Sequence, residues 1–137
     1  MSGVGVKETG VKLLLVEDDE TTVESIKLCM EIYEAGSIID SVSKGNEALR
    51  LLKNDDYDGV MIDLGLPDID GTEVIAELRK FSQVPVVVLS ARHSPEIVSR
   101  ALEIGADDYI TKPFDYRNLL NRLNSLIRKN KKPSPKV

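Results

Sequence analysis

Residues 85–90 read Pro-Val-Val-Val-Leu-Ser, a proline followed by a short run of apolar, mostly β-branched side chains. β-Branched residues fit the pleated surface of a strand better than the crowded surface of a helix. A strand without a polar face is typical of a parallel sheet that helices cover on both sides. The run from Val86 to Leu89 therefore predicts a fully buried strand in a parallel sheet.

Apolar runs and helical patterns alternate along the chain before and after this strand. The other predicted strands cover residues 12–16, 37–43, 59–62 and 109–111. The predicted helices cover residues 21–35, 46–53, 72–80, 95–104 and 114–129, several of them bounded by proline or glycine. Five strands alternating with five helices imply parallel strands joined by right-handed crossovers. The predicted fold class is therefore α/β, with helices on both faces of the sheet.

Polar residues follow four of the five predicted strands. Glu17 and Asp18 follow the first strand, Asp63 the third, Ser90 the fourth and Lys112 the last. Because the carboxyl ends of parallel strands meet at one edge of a sheet, we expect the three acids to converge there, with the lysine nearby. Clustered carboxylates repel one another unless a cation lies among them. An oxygen-only cluster suits a hard cation that keeps several waters, which predicts Mg²⁺.

Some of the acids in this region have simpler explanations. Asp19 and Glu20 also follow the first strand, at the start of a predicted helix, where the helix macrodipole favours carboxylates. Asp63, taken alone, is compatible with a turn, in which aspartate is common. The combination of acids, a hydroxyl and a lysine at the ends of four predicted strands is what indicates a reactive site.

Phosphoryl transfer is the reaction that this combination suits. It needs an in-line nucleophile, and positive charge to neutralise the phosphoryl oxygens. Asp63 is interpreted as a carboxylate nucleophile of the aspartyl-phosphate kind. Lys112 offers a compact positive charge for one phosphoryl oxygen, and Ser90 offers a hydroxyl for another. A Mg²⁺ ion would shield the charge of Asp63 from an anionic donor.

Four segments of the chain carry short motifs that are specific when they occur together in this order. They are residues 15–19 (LVEDD), 61–67 (MIDLGLP) with 70–71 (DG), 89–91 (LSA) and 105–114 (GADDYITKPF). Together they resemble the landmark segments of the response-regulator receiver family of two-component signalling, over residues 11 to 128. The resemblance implies a flavodoxin-like (βα)5 fold, with a five-stranded parallel sheet in the strand order 2-1-3-4-5.

The resemblance implies a phosphoacceptor and a metal site. Asp63 would accept the phosphoryl group and would also be a Mg²⁺ ligand. Asp18 would bind the ion directly, Glu17 would hold it through water, and the backbone carbonyl of Gly65 would be a further ligand. Gly65 and Arg92 would flank the path of the water that hydrolyses the phosphoryl group.

The resemblance also implies a switch. Ser90 would shift its hydroxyl toward the phosphoryl group, Tyr109 would be the aromatic switch residue, and Lys112 would pair with the phosphoryl group. The Lys112–Pro113 peptide bond would be cis, a form that proline makes tolerable.

The family that this chain resembles consists of signalling domains rather than turnover enzymes. A sensor histidine kinase would donate the phosphoryl group, and the output would be a linked domain or a downstream protein. Two other functions are the alternatives. A degenerate receiver would bind proteins without being phosphorylated, but such modules usually lack one of the site residues that this chain retains. A flavodoxin-like cofactor binder would need a hydroxyl-rich phosphate loop after the first strand, where this chain has acids.

The predicted output surface most resembles that of receivers in winged-helix transcription factors. Those receivers pair through the fourth helix, fifth strand and fifth helix when phosphorylated, with charge pairs across a two-fold axis. Asp108 and Arg122 could supply one such pair, whereas Val98 and Asn118 stand where that subgroup places a lysine and a glutamate. We expect either weak, phosphorylation-enhanced self-association or a face that binds another partner.

Length and composition limit the remaining function classes. With 137 residues the chain is one ordinary domain. A net charge of −5 argues against direct nucleic-acid binding, and no apolar run approaches the roughly 20 residues of a membrane span. Cys29 is the single cysteine, which excludes an internal disulfide and a cysteine-based metal site. We expect a cytoplasmic protein without membrane partners.

The sequence is predicted to divide into three parts. Residues 1–10 form a flexible N-terminus, residues 11–128 form the receiver-like domain, and residues 129–137 form a basic tail. The tail is either a solvated helix end that frays or a linker stub to an output domain.

Overall fold

A computed structural model describes residues 10–131 of the chain. The flexible segment predicted for residues 1–10 lies, apart from Gly10, outside the described residues, and so does the basic tail after Lys131. The strands are β1 (Lys12–Val16), β2 (Ile38–Val42), β3 (Gly59–Ile62), β4 (Val86–Ser90) and β5 (Asp108–Thr111). The helices are α1 (Glu20–Tyr33), α2 (Gly45–Asn54), α3 (Gly71–Leu78), α4 (Pro95–Ile104) and α5 (Tyr116–Lys131).

The five strands form one parallel sheet in the order β2-β1-β3-β4-β5. The predicted flavodoxin-like fold and its strand order are therefore confirmed. Because the strand order reverses between β1 and β3, the crevice at their carboxyl ends is where a site is expected in a sheet of this kind. No helix in the described part of the chain is long and apolar enough to cross a membrane.

Four helices begin at other residues than predicted, α2 and α3 each one residue earlier at Gly45 and Gly71, and local caps explain the starts of α1 and α5. α1 begins one residue earlier because Asp19 caps it, its carboxylate accepting the Thr22 N–H at 3.1 Å. α5 begins two residues later, at Tyr116, because the Asp115 carboxylate accepts N–H groups of the first turn at 2.8 and 3.2 Å. α5 also continues two residues further than predicted, to Lys131.

Two apolar layers pack against the sheet, one on each face. Because alternate residues of a strand point to opposite faces, Leu14 and Val16 pack with α2, α3 and α4, whereas Leu13 and Leu15 pack with α1 and α5. Burying side chains of this size contributes roughly 1.5–3 kcal/mol each. All five residues of β4 are buried, which confirms the buried strand predicted from residues 85–90.

Arg79 joins the C-terminal end of α3 to the loops before β4 and β5. Its guanidinium donates to the Gly105 carbonyl at 2.8 and 3.0 Å, to the Val84 carbonyl at 2.8 Å and to Asp107 Oδ2 at 3.1 Å. Gly105 is the C-cap of α4 with φ +130°, and a β-carbon there would lie 2.7 Å from Arg79 Cγ. Arg79 therefore ties the C-terminal end of α4 to α3.

We predict that Arg79→Met lowers the free energy of unfolding by roughly 2–4 kcal/mol, because it leaves part-buried carbonyls without their donors. Urea unfolding followed by circular dichroism measures the loss. Lys80→Met is the matched control, since Lys80 is 71% exposed and pairs with its helical neighbour Glu77. The control should change stability by less than about 0.5 kcal/mol. Equal losses in the two variants would contradict this role of Arg79.

Candidate functional site

The register of β1 and β3 places the residues that follow these strands side by side. Val16 pairs with Ile62, and the ladder continues one step further because the Asp63 N–H donates to the Val16 carbonyl at 2.9 Å. Glu17 is held in the same way, its N–H donating to the Val42 carbonyl at 2.9 Å. The parallel pairing therefore brings Glu17 and Asp63 to the same end of the sheet.

Glu17, Asp18 and Asp63 form a carboxylate cluster. One carboxylate oxygen from each residue lies within 4.8 Å of the others. Glu17 is buried, the Asp63 side chain is mostly buried and Asp18 is exposed, so the cluster is open to solvent on the Asp18 side. The structure thus brings together the three acids that were expected to converge.

Lys112 reaches this cluster from the end of β5. Its ammonium donates to Glu17 Oε1 at 2.8 Å and lies 3.5 Å from Asp63 Oδ2. The Lys112–Pro113 peptide bond is cis, as the resemblance implied. The Lys112 N–H donates to the Ser90 carbonyl at 2.9 Å, which continues the pairing of β4 with β5. One lysine therefore lies between two carboxylates and reduces their mutual repulsion.

Burial and charge together set the protonation of this ion pair. Burial raises the pKa of the Glu17 carboxyl above its usual range, against the opposing effect of its hydrogen bonds from Lys112 and from the Asp19 N–H. Burial also disfavours the charged form of Lys112, but the hydrogen bond to Glu17 and the charge of Asp63 outweigh it and raise the pKa of the Lys112 ammonium. Lys112 is therefore positively charged at neutral pH.

The Ser90 and Tyr109 hydroxyls are both hydrogen-bonded to the backbone of Arg92. The Arg92 N–H donates to the buried Ser90 hydroxyl at 3.1 Å, and the Tyr109 hydroxyl donates to the Arg92 carbonyl at 2.6 Å. Among residues 10–131, neither hydroxyl is hydrogen-bonded to a carboxylate of the cluster. Both residues expected to form the switch therefore bind the backbone of the loop between β4 and α4.

The loop between β3 and α3, which carries Gly65, is anchored by two aspartates. Asp70 is the N-cap of α3 and accepts a first-turn N–H at 2.9 Å. Asp68 accepts the N–H groups of Gly45 and Asn46 at 2.8 and 2.9 Å. It thereby caps α2, whose own N-cap residue makes no side-chain bond. The anchored loop holds the exposed backbone of Gly65 next to the cluster.

Gly71 allows the first turn of α3 to pack against the backbone beside the cluster. Its N–H donates to the Leu64 carbonyl at 2.8 Å. A β-carbon at this position would lie 2.6 Å from the Asp63 carbonyl oxygen and 2.7 Å from Leu64 Cα. Any larger residue would therefore displace either the helix or the strand end that carries Asp63.

Asp19 and Glu20 belong to α1 rather than to the cluster. The Asp19 carboxylate accepts the Thr22 hydroxyl at 2.6 Å and the Thr22 N–H at 3.1 Å. These bonds lower the pKa of the Asp19 carboxyl. Glu20 lies in the first turn, where the macrodipole favours an acid. The structure therefore supports the simpler explanation, that these two acids stabilise the N-terminal end of a helix.

Sequence reasoning missed an ion pair between Arg92 and Asp70. Arg92 Nη1 lies 3.0 Å from Asp70 Oδ2. Contacts between two loops follow no periodic pattern in the sequence. The sequence therefore predicted neither this ion pair nor the capping of α2 by Asp68. The place of Asp70 two residues before the predicted helix 72–80 is the only indication in the sequence of its structural role.

A family model for the response regulator receiver domain matches residues 13–124 of the chain. The chain belongs to the response-regulator receiver family. The receiver is 40% identical over 118 residues to the transcriptional regulatory protein HprR of Escherichia coli, covering 86% of this chain and 52% of HprR. It is 39% identical over 128 residues to TcrA of Mycobacterium tuberculosis, covering 93% of this chain and 50% of TcrA. The receiver spans about half the length of the curated relatives it matches.

Solved structures share the receiver's fold. The Francisella response regulator 1452 receiver domain has a TM-score of 0.82 at 36% identity, covering 88% of this chain and 99% of its own. The receiver domain of the Pseudomonas aeruginosa sensor histidine kinase PA1611 has a TM-score of 0.78 at 29% identity, covering 86% of this chain and 98% of its own. The latter was solved with a magnesium ion coordinated in its active site cleft.

The receiver family acts in two-component signalling, in which phosphorylation controls a regulator. The predicted class, a signalling domain rather than a turnover enzyme, agrees with this membership. The relatives named above are transcriptional regulatory proteins.

Proposed function

We propose that this receiver accepts a phosphoryl group on Asp63 from a sensor histidine kinase, in a Mg²⁺-dependent reaction, and then changes its output surface. The main support is the environment of Asp63, whose side chain is 14% exposed, lies 3.5 Å from the Lys112 ammonium and belongs to a cluster that is open to solvent on the Asp18 side. Glu17 is buried and already bonded to Lys112. Asp63 is therefore the carboxylate that combines a nearby cation with access from solvent.

The donor set of the cluster fits Mg²⁺. It offers carboxylate oxygens without nitrogen or sulfur, and Mg²⁺ prefers oxygen ligands while keeping several waters. Asp18 and Asp63 would hold the ion directly, Glu17 would hold it through water, and the Gly65 carbonyl would be a further ligand. The bound ion would supply positive charge that offsets the repulsion between the carboxylates and an anionic donor. The magnesium in the PA1611 receiver supports the assignment.

The proposed transfer is a substitution at phosphorus. A carboxylate oxygen of Asp63 attacks the phosphorus of a phosphohistidine, so that a P–O bond forms while the P–N bond breaks. The electron pair of the broken bond goes to the imidazole nitrogen, which takes up a proton. The product on Asp63 is an acyl phosphate. Lys112 is placed to pair with one phosphoryl oxygen, and the Ser90 hydroxyl, which accepts from Arg92, retains its own hydrogen for another.

We predict that Asp63→Asn lowers phosphoryl uptake from acetyl phosphate with Mg²⁺ below about a tenth of the parent level, because the amide is not a nucleophile of the carboxylate kind. Intact mass measurement quantifies the adduct. Asp56→Asn is the matched control, since Asp56 is an exposed aspartate in the loop before β3, and it should behave as the parent. Uptake by Asp63→Asn equal to the parent would remove the assignment. No uptake by the parent would favour the alternative of a protein-binding module.

A second prediction separates the roles of Lys112 and the acids. Lys112→Ala should still bind Mg²⁺, since carboxylates hold the ion, but phosphorylation should no longer change amide exchange over β5. Calorimetry measures the first property, and hydrogen exchange with and without acetyl phosphate measures the second. Lys27→Ala, which removes a lysine near the open side of the cluster, should keep the exchange response. An undiminished response in Lys112→Ala would contradict the proposed pairing.

The similarity to longer regulators suggests an output for this receiver. HprR and TcrA are transcriptional regulatory proteins about twice as long as the matched region. We infer that phosphorylation of this receiver controls an output of the same kind, through a linked domain or a downstream partner.

Self-association through α4, β5 and α5 is the expected form of that control. Arg122 Nε lies 3.4 Å from Asp108 Oδ2 of the same chain, so a dimer would exchange this pair for an intermolecular one. Exposed pairs contribute only about 0–1 kcal/mol, and the exchange therefore favours a weak dimer.

We predict that beryllofluoride treatment with Mg²⁺ increases self-association and that Arg122→Glu removes the increase. Sedimentation velocity over a concentration series measures it. Arg128→Glu is the matched control, because it makes the same charge change at an exposed position later on α5. A strictly monomeric activated protein, or a dimer that is indifferent to Arg122, would show that the pairing of winged-helix regulators does not transfer to this receiver.

A further inference from the structure

Arg92 connects four other residues of the site. Its N–H donates to the Ser90 hydroxyl at 3.1 Å, and its carbonyl accepts from the Tyr109 hydroxyl at 2.6 Å. Its guanidinium lies 3.0 Å from Asp70 Oδ2, and Nη2 lies 3.6 Å from where a β-carbon on Gly65 would be. The side chain therefore crosses from the loop after β4 to the start of α3, over the glycine next to the carboxylate cluster.

Asp70 holds the guanidinium in this position. Among residues 10–131, no other carboxylate oxygen lies within 4.0 Å of it. The ion pair is exposed, with 44% of the Arg92 side chain and 38% of the Asp70 side chain accessible, so it is weak and easily broken. Asp70 itself is fixed, because its other oxygen accepts the N–H and the hydroxyl of Thr72, both at 2.9 Å. The arginine can therefore leave while the aspartate stays.

We propose that Asp70 is a positioning residue that competes with a phosphoryl group on Asp63 for the Arg92 guanidinium. This inference rests on the proposed function and adds to it the regulation of the same site. A phosphoryl group brings roughly −1.5 to −2 charges, and guanidinium binds phosphoryl oxygens in a bidentate manner. An anion on Asp63 attracts Arg92 toward the cluster, whereas Asp70 attracts it toward α3.

Movement of the side chain is transmitted through the Arg92 backbone. The two bonds that this backbone makes, with the Ser90 and Tyr109 hydroxyls, hold the loop between β4 and α4. Transfer of the guanidinium from Asp70 to the phosphoryl group pulls on both bonds at once. The Asp70 ion pair therefore favours the unphosphorylated form, and a ligand of the activated form binds more weakly while the pair is intact.

The chain offers variants that isolate this ion pair. Asp70→Asn removes the negative charge but keeps a residue that caps helices equally well, and Asp70→Ser does the same with a smaller side chain. Glu77→Gln is the matched control, because it removes one charge and one exposed ion pair from the same helix without contacting Arg92. Arg92→Gln removes the guanidinium.

The experiment measures beryllofluoride affinity by calorimetry at fixed Mg²⁺, with beryllofluoride as the phosphoryl mimic. Asp70→Asn and Asp70→Ser should bind it about two- to fivefold more tightly than the parent, since exposed ion pairs are weak. Glu77→Gln should bind as the parent does. Arg92→Gln should bind more weakly, and adding Asp70→Asn to it should change nothing further, because the aspartate acts only through the arginine.

Two results would overturn the inference. One is unchanged or weaker binding by both Asp70 variants, and the other is an equal gain from Asp70→Asn with and without Arg92. Acetyl phosphate uptake by the parent, absent in Asp63→Asn, tests the proposed function separately. Suppose that the parent takes up the phosphoryl group and that Asp70→Asn and Arg92→Gln change beryllofluoride affinity additively. The competition is then refuted, and the proposed function stands. If the parent takes up none, the proposed function fails, and the inference fails with it.

Discussion

Repulsion among Glu17, Asp18 and Asp63 is the constraint around which the site is arranged. Three carboxylate oxygens within 4.8 Å of one another need positive charge among them. Lys112 supplies part of it, bonded to buried Glu17 and close to Asp63, while the exposed side at Asp18 is open to a cation. The sheet makes this possible because β1 and β3 are neighbours and β5 lies two strands from β3, within reach of a lysine side chain.

The acids at this edge of the sheet fall into two groups, those that form the carboxylate cluster and those that cap helices. Asp19 caps α1, Asp68 caps α2 and Asp70 caps α3, each by accepting N–H groups that the helix leaves unpaired. Three helices therefore direct their positive ends toward the same edge of the sheet, and aspartates outside the cluster neutralise those ends. Aspartates that look equivalent in the sequence thus differ in function according to whether a helix N-terminus lies within reach.

The fold and the main acids could be predicted because they depend on local patterns. An apolar run such as residues 85–90 reveals a buried strand, and a residue directly after such a run, such as Asp63, must lie at the carboxyl edge. The bonds of Arg79, the capping of α2 by Asp68 and the Arg92–Asp70 pair depend instead on how loops from distant parts of the chain meet. Their distances follow from helix packing and side-chain rotamers, which leave no period or motif in the sequence.

Arg79 and Arg92 hold the two ends of α4 by different contacts. At its C-terminal end, Arg79 is mostly buried and binds the Gly105 carbonyl twice. Near its N-terminal end, the preceding loop depends on a tyrosine hydroxyl and an exposed ion pair. The C-terminal end of α4 is therefore held by more buried hydrogen bonds than the loop before its N-terminal end. We expect a change at the cluster to displace Ser94 more than Gly105, so that a partner on this face would respond to the angle of the helix.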